Sequence, residues 1–277
     1  MVDQKEKNLI ALGIEYDGFP YCGWQRQKHC DSVQGALEKA LSSIANQPIE
    51  VSCAGRTDTG VHATGQVAHF EYCTVENENR SLRTWMEGTN ARLPDSISVN
   101  WSKYVDTSFH ARFSALSRTY RYIILNNRSR HALLSNRVSQ FIKPIDIQKL
   151  NSVTDLLLGE QDFSSVRAAN CQSKSSHRNV SSLKACRKGD FILIEITANA
   201  FLYHMVRNIV GLLAAVGQGE LTYNEVKNLL AAKDRTLAPA TAPASGLYLT
   251  AVEYPEKFEI PNSENELWPW YQSPIKH

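Results

Sequence analysis

The chain has 277 residues, 43% of them hydrophobic and 21% charged, with a formal net charge of +2. That much apolar material builds a sizeable core, which excludes disorder as the main state. The longest apolar run, Ile209 to Gly217, is far short of the roughly 20 residues that cross a bilayer. The opening MVDQKEKN carries no apolar segment of the secretory kind, so a cytoplasmic location is expected. Six cysteines include no CxxC pair, and reduced thiols are expected. The spread of Cys53, His62, His69 and Cys73 lacks the paired ligand spacing of zinc, so no metal is expected.

Leu9 to Tyr16 reads as a strand ended by the turn Asp17-Gly18. Ser32 caps a helix whose apolar positions Val33, Leu37, Ala40, Leu41 and Ile44 recur at three and four. Ile49 to Ala54 and Gln66 to Tyr72 read as strands around a glycine-containing loop. Leu82, Trp85, Met86 and Thr89 mark a second helix, stopped before Pro94, and Ile97, Val99 and Trp101 alternate as a strand. The order β-α-β-β-α-β is that of a split βαβ unit. The second half is a looser copy. Strands are expected at Thr119 to Leu125, Val138 to Ile142, Phe191 to Thr197 and Leu247 to Val252. Helices are expected around Ile147 to Leu157, His204 to Val216 and Tyr223 to Ala231. The pattern predicts an α+β protein of two similar halves, 1–106 and 107–254, which join their sheets edge to edge around a cleft. A tail at 255–277 is expected on the surface.

Charge is unevenly placed. Thr107 to Ile145 and Phe163 to Gly189 contain no Asp or Glu. Together they carry +13 against an overall +2, which leaves −11 for the rest of the chain. Nine of those 13 cations are Arg, whose planar fork suits phosphate. A polyanion-binding face leaves such a trace, with nucleic acid as the favoured partner.

Three motifs carry candidate chemistry. Ala54 to Gln66, AGRTDTGVHATGQ, holds three glycines in the eleven residues from Gly55 to Gly65, with Asp58 at its centre and Arg56 two residues before it. Such a loop turns sharply or approaches a ligand closely, although an Asp there can equally tie down its own turn. Asp58-Thr59-Gly60 also matches an aspartic-protease triplet, but that chemistry needs two carboxylates sharing a proton, and the chain has one copy. In Ser117 to Tyr122, SRTYRY, alternation puts Tyr120 and Tyr122 on one strand face, with Arg118 and Arg121 expected near the other. Cations interleaved with aromatics suit stacked bases and phosphates, and equally an ordinary half-buried strand. On the helix from His204 to Val216, Arg207 stands beside Gly211, Ala214 and Ala215 with no other charge, and so calls for an anion. Asp58 is a candidate. The absence of P-loop, GxGxxG, GxSxG and HExxH motifs points away from nucleotide hydrolysis, hydride transfer, serine esterase chemistry and zinc proteolysis.

GRTDTGVHATGQVAHF, RFSALSRTYRYIILN, FLYHMVRNIVG and AAKDRT…SGLYL, in that order, resemble the tRNA pseudouridine synthase A (TruA-type) family from Ala11 to about Tyr254. The resemblance implies two ferredoxin-like halves on one mixed sheet with helices on one face. It implies isomerisation of uridine to pseudouridine at positions 38 to 40 of the tRNA anticodon stem-loop, by a homodimer without cofactor or metal. Asp58 is then the catalytic aspartate, a nucleophile or base; attack at C1′, addition to C6 and a glycal route all stay open. Tyr120 packs on the target base, Arg207 pairs with the aspartate, and Arg56 helps displace the target nucleotide. A non-catalytic module of two RRM-like halves is the rival reading, and no RNP1-like run supports it.

Overall fold

The computed structural model describes residues 7–73, 80–169 and 171–261. They divide into two compact units. One runs up to Leu116 and resumes at Leu249; the other is Ser117–Tyr248. The fold is α+β.

In the first unit the elements are β1 (Lys7–Tyr16), α1 (Val33–Ala45), β2 (Ser52–Cys53), β3 (His62–Cys73), α2 (Leu82–Asn90) and β4 (Ile97–Tyr104). The strands run β4-β1-β3, with β2 on β3 and every pairing antiparallel. This is the split βαβ order expected. Ser32 caps α1 by accepting from the Gly35 N–H, and Ser81 caps α2 through the Thr84 N–H. Leu37 and Leu41 of α1, Ile10, Leu12 and Ile14 of β1, and Phe70 and Tyr72 of β3 are buried. Trp85 meets Phe70 and Tyr72 at ring distances of 5.0 and 4.8 Å. Both faces of β1 are covered, because the Trp101 indole fills the space that a side chain at Gly13 would need. The strand expected over Ile49 to Ala54 shrinks to Ser52–Cys53, and β3 starts four residues before Gln66. Ile49 and Val51 are buried all the same, so their apolarity reports burial and not ladder pairing.

In the second unit β5 (Ser117–Leu125), β6 (Ser139–Gln140), α3 (Ile147–Asn151), β7 (Gly159–Asp162), β8 (His177–Lys188), β9 (Phe191–Ala198), α4 (Met205–Gly217) and α5 (Tyr223–Ala232) follow in sequence. The strands lie in the order β5-β9-β8-β7, and β6 adds to β5 in parallel. The chain leaves this unit within β10 (Leu247–Glu253). The helix expected through Leu157 breaks after Asn151 and ends as a 3-10 turn at Thr154–Leu157. Leu150, Val153 and Leu157 still face the core. β8 has no counterpart in the expectations, since its twelve residues include four cations and little apolar alternation.

Cys22 and Cys30 are joined as a disulfide, which corrects the expectation of reduced thiols at those two positions. The turn brings their Cα atoms to 6.2 Å, within the span that a disulfide bridges. Cys53, Cys73, Cys171 and Cys186 are free. Of the expected tail, Phe258 is buried and its ring lies 5.2 Å from Phe109, while 262–277 fall outside the described residues. Among the described residues no helix is long and apolar enough to cross a membrane, and no three His, Cys, Asp or Glu side chains could hold a metal ion.

Candidate active site

Asp58 sits in the loop between β2 and β3, and the loop is fixed from beneath by uncharged groups. Gln66 is fully buried; its amide N–H donates to the Gly55 carbonyl at 2.7 Å, and its carbonyl accepts from the Gly55 N–H at 3.4 Å. The buried Thr57 hydroxyl meets the Tyr16 hydroxyl at 2.8 Å. The Thr57 carbonyl accepts from the Trp24 N–H at 3.0 Å. The Val61 N–H closes the turn onto the Asp58 carbonyl at 3.1 Å, with Gly60 at φ +76° where a side chain would be strained. A second close approach comes from Gly23, at φ +90°, where an added Cβ would stand 2.6 Å from the Thr57 carbonyl oxygen. An added Cβ at Gly18 would stand closer still to the Val61 carbonyl oxygen, and the Gly18 N–H donates to His62 Nδ1 at 3.1 Å. Tyr16 itself lies past a register shift in the β1–β3 ladder, a device that re-aims side chains beside functional loops. Thr57 is thus buried and Asp58 half-buried, while Arg56 and Thr59 are exposed. Two residues upstream of Gly55, burial pushes the Cys53 thiol up to about 12 against the opposing charges of Arg56 and Arg112.

Tyr120 and Arg207 belong to the second unit. Tyr120, on β5 opposite Ile196, is buried and meets Phe201 edge-on at 5.0 Å. Tyr122, two residues on, is locked by its hydroxyl, which lies 2.7 Å from the Ser139 hydroxyl and 2.8 Å from the Pro243 carbonyl oxygen. Burial raises its phenol, and the Arg207 charge opposes that rise. The expected face for Arg118 is corrected. It shares the parity of Tyr120 and Tyr122, is buried, and donates to the Asn199 carbonyl at 2.8 Å. Arg121 does point the other way, into a 2.6 Å ion pair with Glu195, its cross-strand neighbour. Both strand arginines therefore serve the fold.

α4 buries twelve of its thirteen residues, and Arg207 is the exception. A Cβ at Gly211 would run into the Ala240 carbonyl oxygen, so the segment 240–242 lies directly against the helix. The Arg207 Nε donates to the Ala242 carbonyl at 2.8 Å, and the Arg207 carbonyl accepts from the Ala242 N–H at 3.1 Å. Arg235 and Thr241 both donate to the buried Asn208 Oδ1, at 3.0 and 2.7 Å, and so pin that segment. Gln66, Tyr16, Asn208 and Arg235 went unread in the sequence. The one available signal was a glutamine and an asparagine inside otherwise apolar runs.

Of the thirteen cations in the two acid-free segments, Arg112, Arg128, Arg130, Lys143, Lys174, Lys184, Arg187 and Lys188 are exposed. The others are drawn wholly or partly into the fold, as with Arg167, whose Nη2 donates to the Cys171 and Ser173 carbonyls.

The chain is similar to known proteins. A family described as tRNA pseudouridine synthase matches residues 13–114 and 153–255. The chain belongs to that family, and the family's reaction is an isomerisation. Among relatives named tRNA pseudouridine synthase A, that of Hydrogenovibrio crunogenus is 54% identical over 253 residues, covering 91% of this chain and 95% of the relative. That of Actinobacillus pleuropneumoniae serotype 7 is 56% identical over 254 residues, covering 92% and 95%. A solved H/ACA RNP bound to a substrate RNA containing 2′-deoxyuridine aligns at a TM-score of 0.33 and 10% identity, over 74% of this chain and 44% of that one.

Proposed function

We propose that the protein isomerises uridine to pseudouridine at positions 38 to 40 of the tRNA anticodon stem-loop, with Asp58 as nucleophile. The observation that supports this is a half-buried carboxylate, Asp58, on a glycine-rich loop whose backbone is held by the buried Gln66 amide and whose Thr57 hydroxyl meets that of Tyr16. The chemistry breaks the bond from C1′ to N1 and makes one from C1′ to C5. N1 ends with a proton and C5 loses one, so no electrons are exchanged and no water is consumed. Such a reaction needs an ionised carboxylate beside an extruded base and a surface that holds the uracil while it turns. In this reading Arg207 is the cation that keeps Asp58 ionised, Tyr120 is the flat wall for the uracil, and Arg56, exposed in the same loop, helps displace the target nucleotide. Residue by residue these roles follow from the family resemblance. The reading includes a cytoplasmic homodimer that needs no cofactor.

The test uses tRNA carrying U38 to U40, incubated with wild-type protein and with Asp58→Asn, with pseudouridine counted at each position. Wild type forms pseudouridine there, and Asp58→Asn forms none while still binding the tRNA. Normal isomerisation by the variant would remove Asp58 from the chemistry, and modification only outside positions 38 to 40 would refute the site assignment. Sedimentation of the same sample reads the expected dimer.

A further inference from the structure

The segment Phe109 to Ser114 of the first unit holds one aromatic ring out to solvent. Phe113 is 76% exposed, although two of its neighbours in the same turn, Phe109 and Ala111, are buried. The backbone beneath it is firmly held. Ala111 donates its N–H to His69 Nδ1 at 3.1 Å, and Arg112 and Phe113 donate theirs to His110 Nδ1 at 3.1 and 3.3 Å. The Tyr254 hydroxyl donates to the Ala111 carbonyl from the other side. Both imidazoles must be neutral at Nδ1 to accept these bonds, and desolvation lowers both, His69 to about 4. The Phe113 ring rests 4.3 Å from the His110 ring, and the Arg112 guanidinium stands 5.7 Å over the Phe113 centroid. Arg112 and Arg56 both act on the Cys53 thiol by charge, so both cations lie near β2, the strand that leads into the Asp58 loop.

A rigidly presented, solvent-facing aromatic with cations beside it is the combination that stacks an unpaired base and holds its phosphate. We propose that Phe113 is a stacking platform for an unpaired nucleotide of the RNA substrate, with Arg112 and Arg56 taking adjacent phosphates. This rests on the reading that the substrate is RNA, and it adds a second point of base contact in the first unit. The alternative occupant is a second copy of the chain, which has no need of the cations.

The experiment measures the dissociation constant of an anticodon stem-loop transcript for Asp58→Asn protein, alone and with Phe113→Ala, Phe113→Trp or Phe113→Leu added. Sedimentation of each variant and pseudouridine formation by wild-type protein are followed in parallel. Phe113→Ala weakens binding about 10-fold, Phe113→Trp restores it, and Phe113→Leu, apolar but without a π face, does not. Unchanged binding by Phe113→Ala, full restoration by Leu, or a binding loss that merely tracks a change in oligomeric state overturns the proposal. Because the ring is exposed, none of these variants removes core packing. If wild-type protein forms no pseudouridine, the proposed function fails; if it does and Phe113→Ala binds normally, only the platform fails.

Discussion

Two places in this molecule hold polar groups away from water, and they do so by opposite means. Under the Asp58 loop, Gln66, Tyr16 and Thr57 bond one another and the backbone without carrying charge. Between β5 and β9, Arg121 and Glu195 are held as an ion pair with side chains only 13% and 9% exposed. The loop backbone is fixed by neutral hydrogen bonds, each worth little alone, whereas the strand pair depends on two opposite charges that must both be present.

The contrast ranks the effects of breaking each support. Arg121→Ala leaves Glu195 buried without its cation and is expected to cost about 3–5 kcal/mol in denaturant unfolding. The double variant Arg121→Met with Glu195→Leu recovers most of that, and a double variant as unstable as the single one would show that packing, not charge, holds the strand. Gln66→Leu strands the Gly55 N–H and carbonyl at about 1–3 kcal/mol each. Its second signature is a larger fall in kcat than rise in KM, because it loosens the Asp58 loop; a pure stability loss would deny the loop that role. Tyr16→Phe removes one hydroxyl of the same network and costs about 1 kcal/mol in melts of the two proteins.

Much of this architecture is legible in the sequence. The helical spacing of Val33, Leu37 and Leu41 and the alternation of Ile97, Val99 and Trp101 are direct records of buried faces. β8 escapes because a strand lined with Lys184, Arg187 and Lys188 has no apolar period to read. Ile49 to Ala54 misleads in the other direction: apolar side chains are buried there over a backbone that pairs at only two positions. At the site, Asp58 and Arg56 are visible because glycines surround them. Gln66 and Asn208 are hidden because a buried amide is chosen by partners distant in sequence, 11 residues away for Gly55 and 42 for Val166. Arg118 is expected with Arg121 on the face opposite the tyrosines, whereas alternation itself puts Arg118 on the face of Tyr120 and Tyr122.

The smaller effects concern pH and a single hydroxyl. Desolvation depresses His69 to about 4, with the nearby His110 adding to it and Glu71 opposing. The folded state therefore resists a proton that the unfolded chain accepts near 6.5. Stability from this group is full above that value and is lost as pH falls from about 6.5 to 4. His69→Asn, which keeps an acceptor for the Ala111 N–H but cannot titrate, is expected to flatten that part of the unfolding profile relative to wild type. An unchanged slope would assign the acid sensitivity elsewhere. Tyr120→Phe is expected to lower pseudouridine formation less than threefold, since the ring and not the hydroxyl is proposed to face the base; complete loss would give the hydroxyl a chemical task.

The first unit is interrupted: it breaks off at Leu116 and is completed only from Leu249 onward. The Leu116 N–H bonds the Glu253 carbonyl, Tyr254 reaches Ala111, and Phe258 closes over Phe109. On a ribosome, where the chain emerges from its amino end, the half that bears the aspartate must wait unfinished while some 130 residues of the other half are synthesised. The last strand thereby sets when the first unit can close, and a nascent chain stalled before it would carry the Asp58 loop without the segment that locks the Phe113 turn in place.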